Sequence, residues 1–455
     1  MRLSGKKVSV IGLGITGFYT GLFLKKEGAD VYINDIREER ELKKEYLHEL
    51  QRSGCHIRTG GYDERTIFNS DLLILSPGVP LDLDVIKKAR AYGVEVIGEI
   101  ELAYRFCPWP IIAVTGTNGK STVTSMIAHV LQRSGKKVFV GGNLGKPFIS
   151  SLLEDHKWEL VVLEVSSFQL ESVRDFCPFI SIILNISPDH LDRHKSFQHY
   201  VNSKLKIFQN QRENSFLILN DDDPVLSQIK NKKVKSLRFG VEERQSRAAF
   251  LEREFIKIRF NDVKEDFPIT DIPLLGEHNV VNTMPVLLVA CVFKIKKEII
   301  QSAIRSFKPL PHRLELIFQK DGIMFVDDSK ATNIDSTVKA VEGIKRPVIL
   351  IAGGKDKGLD FSQLAERVRH RVKHAVFIGE SACHMSVEFE NRGISTEIAS
   401  DMQDAVLKAI SKAKKGDVVL LSPACASFDM FKDYSHRGEV FKEAVKRAFS
   451  TGILK

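Results

Sequence analysis

The sequence predicts an α/β protein of three consecutive domains, each built on a mostly parallel sheet. Three observations lead there. Short apolar runs alternate with helical patterns over nearly the whole chain, the order expected of a parallel sheet covered by helices on both faces. Each run ends in a polar loop rich in Gly, Ser, Asp or Asn. A chain of 455 residues also exceeds one core, since domains run to roughly 100–200 residues each. Changes in pattern place the domains at 1–98, 99–309 and 310–455.

In the first domain KKVSVIGLG reads as a buried strand ending in a Gly-rich turn. A helix follows from Thr16 to Lys26, then the strand VYIND, a charged helix from Glu38 to Ser53, and the strand DLLILSPGVP. The second domain opens with strand IIAVTG, the turn GTNGKST and a helix over Thr122 to Ser134. LVVLEVSS, FISIILNIS and SFLILNDDDP are further strands. The mixed stretch from Lys230 to Asp271 lacks helical periodicity and reads as β-structure with turns, and GEHNVVNTMPVLLVACVFK as a helix. The third domain shows four strands, GIMFVDDSKAT, PVILIAGGKDKG, HAVFIGES and DVVLLSPACAS. No short repeat, coiled coil or low-complexity tract interrupts them. In open parallel sheets ligands bind beyond the carboxyl ends of the strands, so the polar loops are where chemistry is expected.

Composition narrows the function. Hydrophobic residues make up 43% and charged residues 27%, ordinary for a globular protein. The net charge of +9 fits an anionic substrate. Lys and Arg are spread along the chain without an aromatic-rich basic patch, so a nucleic-acid partner is not expected. Cys55, Cys107, Cys177, Cys291, Cys383 and Cys425 form no CxxC pair and read as reduced thiols. The start, MRLSGKKVSVIGLG, runs directly into a strand without a signal-peptide core. The longest apolar stretch, near Pro285 to Phe293, is short of the ~20 residues that span a bilayer. A cytoplasmic enzyme is expected.

The strongest local motif is Thr115-Gly116-Thr117-Asn118-Gly119-Lys120-Ser121-Thr122 between a strand and a helix. Its glycines let backbone N–H groups curl around a phosphate, and the helix N-terminus adds positive potential. Lys120 can neutralise terminal phosphates, and the Ser121 or Thr122 hydroxyl can reach Mg²⁺. The motif departs from a strict Walker A, which has Gly where Val114 stands. Glu164 and Asp189-His190 follow two strands of the same sheet and aim at the same rim. Mg²⁺ takes oxygen ligands and keeps waters, which suits Glu164 and tolerates His190. Lys204 in YVNSKLKIF reads on its own as a solvated helix lysine, one of 67 basic residues. Gly12-Leu13-Gly14-Ile15-Thr16-Gly17 followed by Asp35 has the form of a dinucleotide fingerprint with its ribose acid.

Taken together, TGTNGKST, EVSSFQL, NISPDHLDRH, YVNSKLKIF, GEHNVVN, LPHRLE, DDSKATN and LLSPACASFDMFKDY resemble, in order, the Mur ligase family, which builds the peptide of bacterial peptidoglycan. IGLGITG, INDIR and SPGVP extend the resemblance to the first domain. SSFQL, DSKATN and SPACASFD look like the D-glutamate-adding members. The resemblance implies a Rossmann-like N-terminal domain, a central phosphate-loop ATPase-type domain and a Rossmann-like C-terminal domain. Its substrates would be UDP-N-acetylmuramoyl-L-alanine, D-glutamate and ATP, with two Mg²⁺ ions, in a monomer.

The family's residue roles carry over as follows. Ile15, Thr16, Asp35, Arg37, Ser76 and Gly78 would hold the UDP part, making NAD the weaker reading of the first turn. Asn143, Ser166 and Gln169 would contact the muramoyl-alanine end. Gly116 to Thr122, Asn282, Arg313 and Asp328 would bind ATP. Lys120, Glu164, His190, Lys204 and Lys330 would be catalytic. Metal would be held by Ser121, Glu164, His190 and Lys204, the last as a CO₂-derived carbamate. His312, Thr332, Lys357, Ser427 and Tyr434 would form the D-glutamate pocket. Lys357 is preferred to Lys355 by its distance from the glycine pair, and Tyr434 stands where Phe is common. One residue is missing between His190 and Lys204 relative to the family pattern. A different amino-acid substrate, or a phosphate-loop NTPase switch, are the rival readings.

Overall fold

The computed structural model describes residues 1–231, 233–356 and 358–450. Its strands fall into three sheets, one for each of three α/β domains. By packing, the chain divides into two compact units. One comprises Met1–Phe267 with Thr283–Ala303, and the other Pro268–Asn282 with the chain from Ile304 onward.

The first unit holds two sheets. The N-terminal sheet has five parallel strands in the order His56–Arg58, Asp30–Asn34, Lys7–Ile11, Leu72–Leu75, Glu95–Gly98. The chain starts in the middle, winds to one side, then returns to the other. The turn after Ile11 therefore lies at the switch point, where such sheets bind ligands. Gly17 shows why this turn needs glycine, because a Cβ there would stand 2.0 Å from the Gly12 carbonyl oxygen. The expected helix from Glu38 to Ser53 is shorter than predicted. It splits into a single turn, Glu39–Glu41, and the helix Lys44–Arg52. Leu42, buried and extended, separates them, so burial of one side chain overrides the propensity of its charged neighbours.

The central sheet has nine strands. Val138–Gly142, Leu160–Glu164, Ile111–Thr115, Ile180–Ile183, Phe216–Asn220, Lys235–Gly240 and Arg247–Glu252 run parallel. Phe255–Phe260 then pairs antiparallel, and Val263–Pro268 forms the edge. The predicted β-structure beyond Lys230 is this extension. One continuous apolar cluster joins the two sheets of this unit, running from Val8 and Leu24 through Leu102, Phe148 and Phe176 to Leu217.

The second unit carries a six-stranded sheet, ordered Glu315–Lys320, Ile323–Asp327, Val418–Leu421, Val348–Gly353, Val372–Ile378, Ser395–Ile398. The first pair is antiparallel and the rest parallel. The inner four are the four predicted strands. The two outer ones escaped the sequence because their residues are mostly half-exposed and polar, without the apolar runs of the interior. Among the described residues no helix is long and apolar enough to cross a membrane, and all six cysteines are free.

The junction within the first unit contains an unusual acid. Glu99 opens the helix Glu99–Phe106, and its Oε1 accepts the Ile149 N–H at 2.6 Å. Its buried Oε2 has no partner among the described residues. Burial pushes the carboxyl up to about 7 from 4.5, against the Ile149 and Phe148 N–H groups. The folded state thus holds this proton more tightly than the unfolded chain. Its contribution to stability is full below pH 4.5 and is lost as pH rises through 7, an effect of about 3 kcal/mol. Glu99→Gln should gain stability relative to the parent between pH 5 and pH 8 in denaturant titrations of the full chain. A difference that does not change with pH would contradict this account.

Candidate active site

The strand Ile111–Thr115 delivers the chain into a loop that wraps back on itself before the helix Lys120–Arg133. Gly116 and Gly119 have φ of 154° and 83°, values that L side chains rarely adopt. The loop is held from outside. Asn185 Oδ1 accepts the Asn118 N–H at 2.8 Å, and its Nδ2 donates to the Asn118 carbonyl at 3.1 Å. Thr117 Oγ1 lies 3.1 Å from the Tyr200 hydroxyl and accepts the Ser187 N–H at 3.0 Å. Lys120 Nζ donates to the carbonyls of Gly116 and Thr117 at 2.9 and 2.8 Å. Ser121 and Thr122, in the first turn, are buried.

Lys204 is the surprise of this site. It sits near the end of the helix Phe197–Leu205, only 2% exposed. Its Nζ donates to the same Gly116 carbonyl at 2.8 Å and stands 4.6 Å above the Tyr200 ring. Two lysine amines therefore converge on one oxygen. Burial, reinforced by the charge of Lys120, pushes the Lys204 amine well below its ordinary range, while Asp189 and Glu164 oppose the shift. The sequence reading of a solvated helix lysine is corrected on that point, because Tyr200 and Lys204, four residues apart, share the helix face turned inward.

Glu164 ends the strand beside Ile111–Thr115, in register with Val114. Its Oε1 accepts Asn143 Nδ2 at 2.6 Å, and its carbonyl accepts the Asn143 N–H at 2.8 Å. Asn143 and Glu164 are thus one local assembly. Ser166 and Gln169 form a reciprocal cap on the helix Ser167–Glu171, so both have a structural task whatever else they bind. His190 has φ of 53°, and its ring packs on Phe168 with centroids 5.0 Å apart. Arg193, three residues on, donates to the carbonyls of Gly78 and Val79.

At the N-terminal switch point Asp35 is 4% exposed. Its carboxylate accepts the Leu13 N–H at 2.6 Å and the Arg37 N–H at 2.9 Å. It is also bridged by Arg37 Nε at 3.0 Å and Nη2 at 2.7 Å. Burial opposes ionisation of Asp35, but Arg37 and the two backbone donors outweigh it and hold the carboxyl below its usual range. Ser76 Oγ donates to the Gly12 carbonyl at 2.8 Å, tying the two loops that flank the crevice. Ile15 and Thr16 open the helix Ile15–Lys26, where Ile15 is 44% exposed.

In the second unit, Asp328 follows the strand Ile323–Asp327. It accepts from Ser422 Oγ at 2.9 Å and from the Leu314 N–H at 3.2 Å. Burial pushes its carboxyl up to about 7, although Ser422, Arg313 and Leu314 favour the ionised form. Lys330 Nζ lies 4.9 Å above the Tyr434 ring, and its N–H donates to the His312 carbonyl at 3.2 Å. Ser427 is buried, its carbonyl accepting the Phe431 N–H at 2.8 Å, and Thr332 is half-buried. Asn282 donates to Asn279 Oδ1 at 3.1 Å. Lys357 lies outside the described residues. Sequence reasoning missed Asn185, Tyr200 and Arg437. The last is a fully buried cation tying Ser329 and Cys425 to the helix Tyr434–Ser450.

Known proteins match this chain along nearly its whole length. Residues 6–98 match the Mur ligase MurD-like N-terminal domain, 114–290 the Mur ligase middle domain, and 312–425 the Mur ligase glutamate ligase domain. A UDP-N-acetylmuramoylalanine–D-glutamate ligase of Koribacter versatilis is 44% identical over 453 residues, 98% of each chain. Its counterpart in Clostridioides difficile is 40% identical, over 98% of this chain and 99% of that one. Among solved structures, a pseudomurein peptide ligase type C from Methanothermus fervidus superposes with a TM-score of 0.63 at 20% identity, covering 98% of this chain and all of that one. The UDP-N-acetylmuramate-alanine ligase of Thermotoga maritima gives 0.61 at 21%, over 97% and 100%. These two likenesses speak to the fold alone. The phosphate loop with its buried second lysine and the run of three domain matches lead to one conclusion: the chain belongs to the Mur ligase family.

Proposed function

We propose that this ligase joins the amine of D-glutamate to the alanyl carboxyl of UDP-N-acetylmuramoyl-L-alanine, splitting ATP to ADP and phosphate. The observation that carries the reading is end-to-end identity of 40–44% with D-glutamate-adding relatives, in a chain whose phosphate loop brings two lysines to one carbonyl. A carboxylate is a poor acyl donor, because its leaving group would be oxide. Its oxygen attacks the γ-phosphorus in line and ADP departs. The D-glutamate amine then attacks the acyl carbon, and phosphate leaves as the amide forms. No side-chain nucleophile is needed, so catalysis is positioning and charge stabilisation.

The chain's own groups divide that work. Loop N–H groups and the N-terminus of the helix Lys120–Arg133 cradle the phosphates. Lys120 leaves the Gly116 and Thr117 carbonyls, to which it is bonded here, and neutralises the γ-phosphate. Ile15, Thr16, Asp35, Arg37, Ser76 and Gly78 hold the UDP end, and Asn143, Ser166 and Gln169 the muramoyl-alanine end. Asn282, Arg313 and Asp328 contribute to nucleotide binding. Lys330, His312, Thr332, Lys357, Ser427 and Tyr434 form the amino-acid side.

Two Mg²⁺ ions fit the donor set. Ser121 offers a hydroxyl, Glu164 a carboxylate and His190 an imidazole. Lys204 is buried, with its amine disfavoured as an ammonium, and the neutral amine is the form that adds CO₂. The carbamate would turn a group that repels metal into an anionic oxygen ligand. When bound, Mg²⁺ supplies charge neutralisation on the phosphoryl oxygens.

Phosphate release should require UDP-N-acetylmuramoyl-L-alanine and D-glutamate together. A panel of D- and L-amino acids at fixed ATP tests this. Equal turnover with L-glutamate would overturn the amino-acid assignment, and turnover with ATP alone would favour an NTPase switch.

A further inference from the structure

The second unit contains a buried relay of which only His312 has been given a part, on the amino-acid side. Asp327 ends the strand Ile323–Asp327 and is fully buried. Its Oδ2 lies 2.7 Å from His312 Nδ1, and its Oδ1 accepts the Ser329 N–H at 2.9 Å. His312 Nε2 in turn lies 3.1 Å from Ser435 Oγ, in the first turn of the helix Tyr434–Ser450. A carboxylate can only accept, so Nδ1 carries a proton, and Nε2 shares the second hydrogen bond with the Ser435 hydroxyl. The next group is Glu439 Oε1, 3.5 Å from Nε2.

Two further features show that the fold is built around this relay. Gly438 lies directly over it. A Cβ there would stand 2.2 Å from His312 Nδ1 and 2.7 Å from Asp327 Oδ2, so the helix reaches the pair only because residue 438 has no side chain. His312 also holds φ of 61°, a conformation that costs a non-glycine residue roughly 1 kcal/mol or more. From that position its carbonyl accepts the Lys330 N–H, while its ring grips Ser435. The first anchor, Lys330, and the neighbour of the second, Tyr434, face each other, with Lys330 Nζ 4.9 Å above the Tyr434 ring. Ser329 Oγ closes the loop by donating to the Tyr434 carbonyl at 2.8 Å.

We infer that Asp327, His312 and Ser435 are positioning residues that set the spacing of Lys330 and Tyr434, and through it the affinity for the incoming amino acid. This rests on the amino-acid-binding reading of those two side chains given above. Both ring nitrogens of His312 are taken within the protein and the residue is 4% exposed, so it acts through its neighbours rather than on the substrate. Asp327 orients it as the carboxylate orients a histidine in a catalytic triad, here to hold a helix rather than to activate a nucleophile.

The test is Asp327→Asn in the full-length enzyme. An asparagine has one accepting oxygen for two donors. Its amide must face one of them, and where it faces His312 the ring proton moves to Nε2, the carboxylate's hold on the ring is lost, and the Ser435 bond is reversed, with the hydroxyl now the acceptor. Long-range ¹⁵N–¹H spectra, with the His312 signal assigned by its loss in His312→Gln, should show the proton on Nδ1 in the parent and on Nε2 in the variant. The KM for D-glutamate should rise about tenfold, with the KM for ATP and for the UDP substrate changing less than about twofold. Ser435→Ala should raise the same KM about threefold and Ser435→Thr should restore it. These two serve if Asp327→Asn does not fold. A tautomer switch with unchanged amino-acid KM, or equal rises in all three KM values, would overturn the proposal. If the parent enzyme prefers another amino acid, the KM for that one should rise instead. The relay would then stand while the D-glutamate assignment falls.

Discussion

Lys204→Ala is expected to lower turnover by about 10²–10³ or more, the scale of removing one charge-stabilising group from a reaction centre, while leaving the protein folded. A solvated lysine would change stability by no more than about 0.5 kcal/mol and leave activity alone. The structure excludes that setting, because the side chain is 2% exposed and shares the Gly116 carbonyl with Lys120. Two ammonium groups on one oxygen repel each other, and burial adds to the cost of charging the inner one. Both effects disfavour the ammonium and favour the neutral amine, the form that reacts with CO₂. If Lys204 carries the proposed carbamate, its loss removes an anionic oxygen ligand and leaves a hole that a small carboxylate can enter. Formate or acetate at high concentration should restore part of the rate to Lys204→Ala. Neither should rescue Lys120→Ala, which loses positive charge. Lys204→Arg should stay inactive, since a guanidinium neither forms the carbamate nor approaches the metal. Full activity in Lys204→Ala would remove the residue from the site. Inactivity without rescue would count against the carbamate.

What the sequence revealed follows from how local each signal is. The GTNGKST turn is legible because its chemistry is contiguous. Glycine conformation, a helix start and a lysine all lie within eight residues, and the structure reproduces each. The interior strands are legible because both faces are buried, which writes an unbroken apolar run. The edge strands Glu315–Lys320 and Ser395–Ile398 leave no such trace. Lys204 could be assigned only by resemblance, since its burial is decided by Gly116, 88 residues earlier in the chain. The clamp of Asn185 on Asn118 and the contact of Tyr200 with Thr117 are likewise long-range. Arg37 belongs to the same class in a milder form. Its proximity to Asp35 is visible in INDIR, but its two-point bridge to that carboxylate depends on the turn after the strand.

Arg437 left a signal that could have been used. The helix Tyr434–Ser450 buries Arg437, Gly438, Phe441, Ala444, Val445 and Ala448, so the arginine stands on the apolar stripe where a solvated cation does not belong. It is fully buried. Its Nε donates to Ser329 Oγ at 3.0 Å, Nη2 to the Ser329 carbonyl at 2.8 Å, and both terminal nitrogens to the Cys425 carbonyl at 3.1 Å. Burial pulls its pKa down to about 10, which leaves it charged at neutral pH. Two effects compete in Arg437→Met. The variant no longer has to desolvate a guanidinium, a gain that makes some buried charges replaceable by apolar residues. It also strands the Ser329 and Cys425 carbonyls in a dry interior, at about 1–3 kcal/mol each. The arginine's hydrogen-bond partners are neutral carbonyls and a hydroxyl, while the carboxylates of Asp429 and Asp327 act on it only through space, so no hydrogen-bonded charge is stranded. The two stranded acceptors then decide the sign, and a net loss of about 2–4 kcal/mol is expected. In a unit of this size that is roughly 4–16 °C in the unfolding midpoint. Arg437→Lys should recover only part of it, because one ammonium cannot span both carbonyls in the fork geometry of a guanidinium. Ser329 precedes Lys330 and Cys425 lies two residues before Ser427, so the KM for the amino acid should rise more than that for ATP. An Arg437→Met enzyme with an unchanged midpoint and an unchanged amino-acid KM would show that the buried cation holds neither the fold nor the pocket.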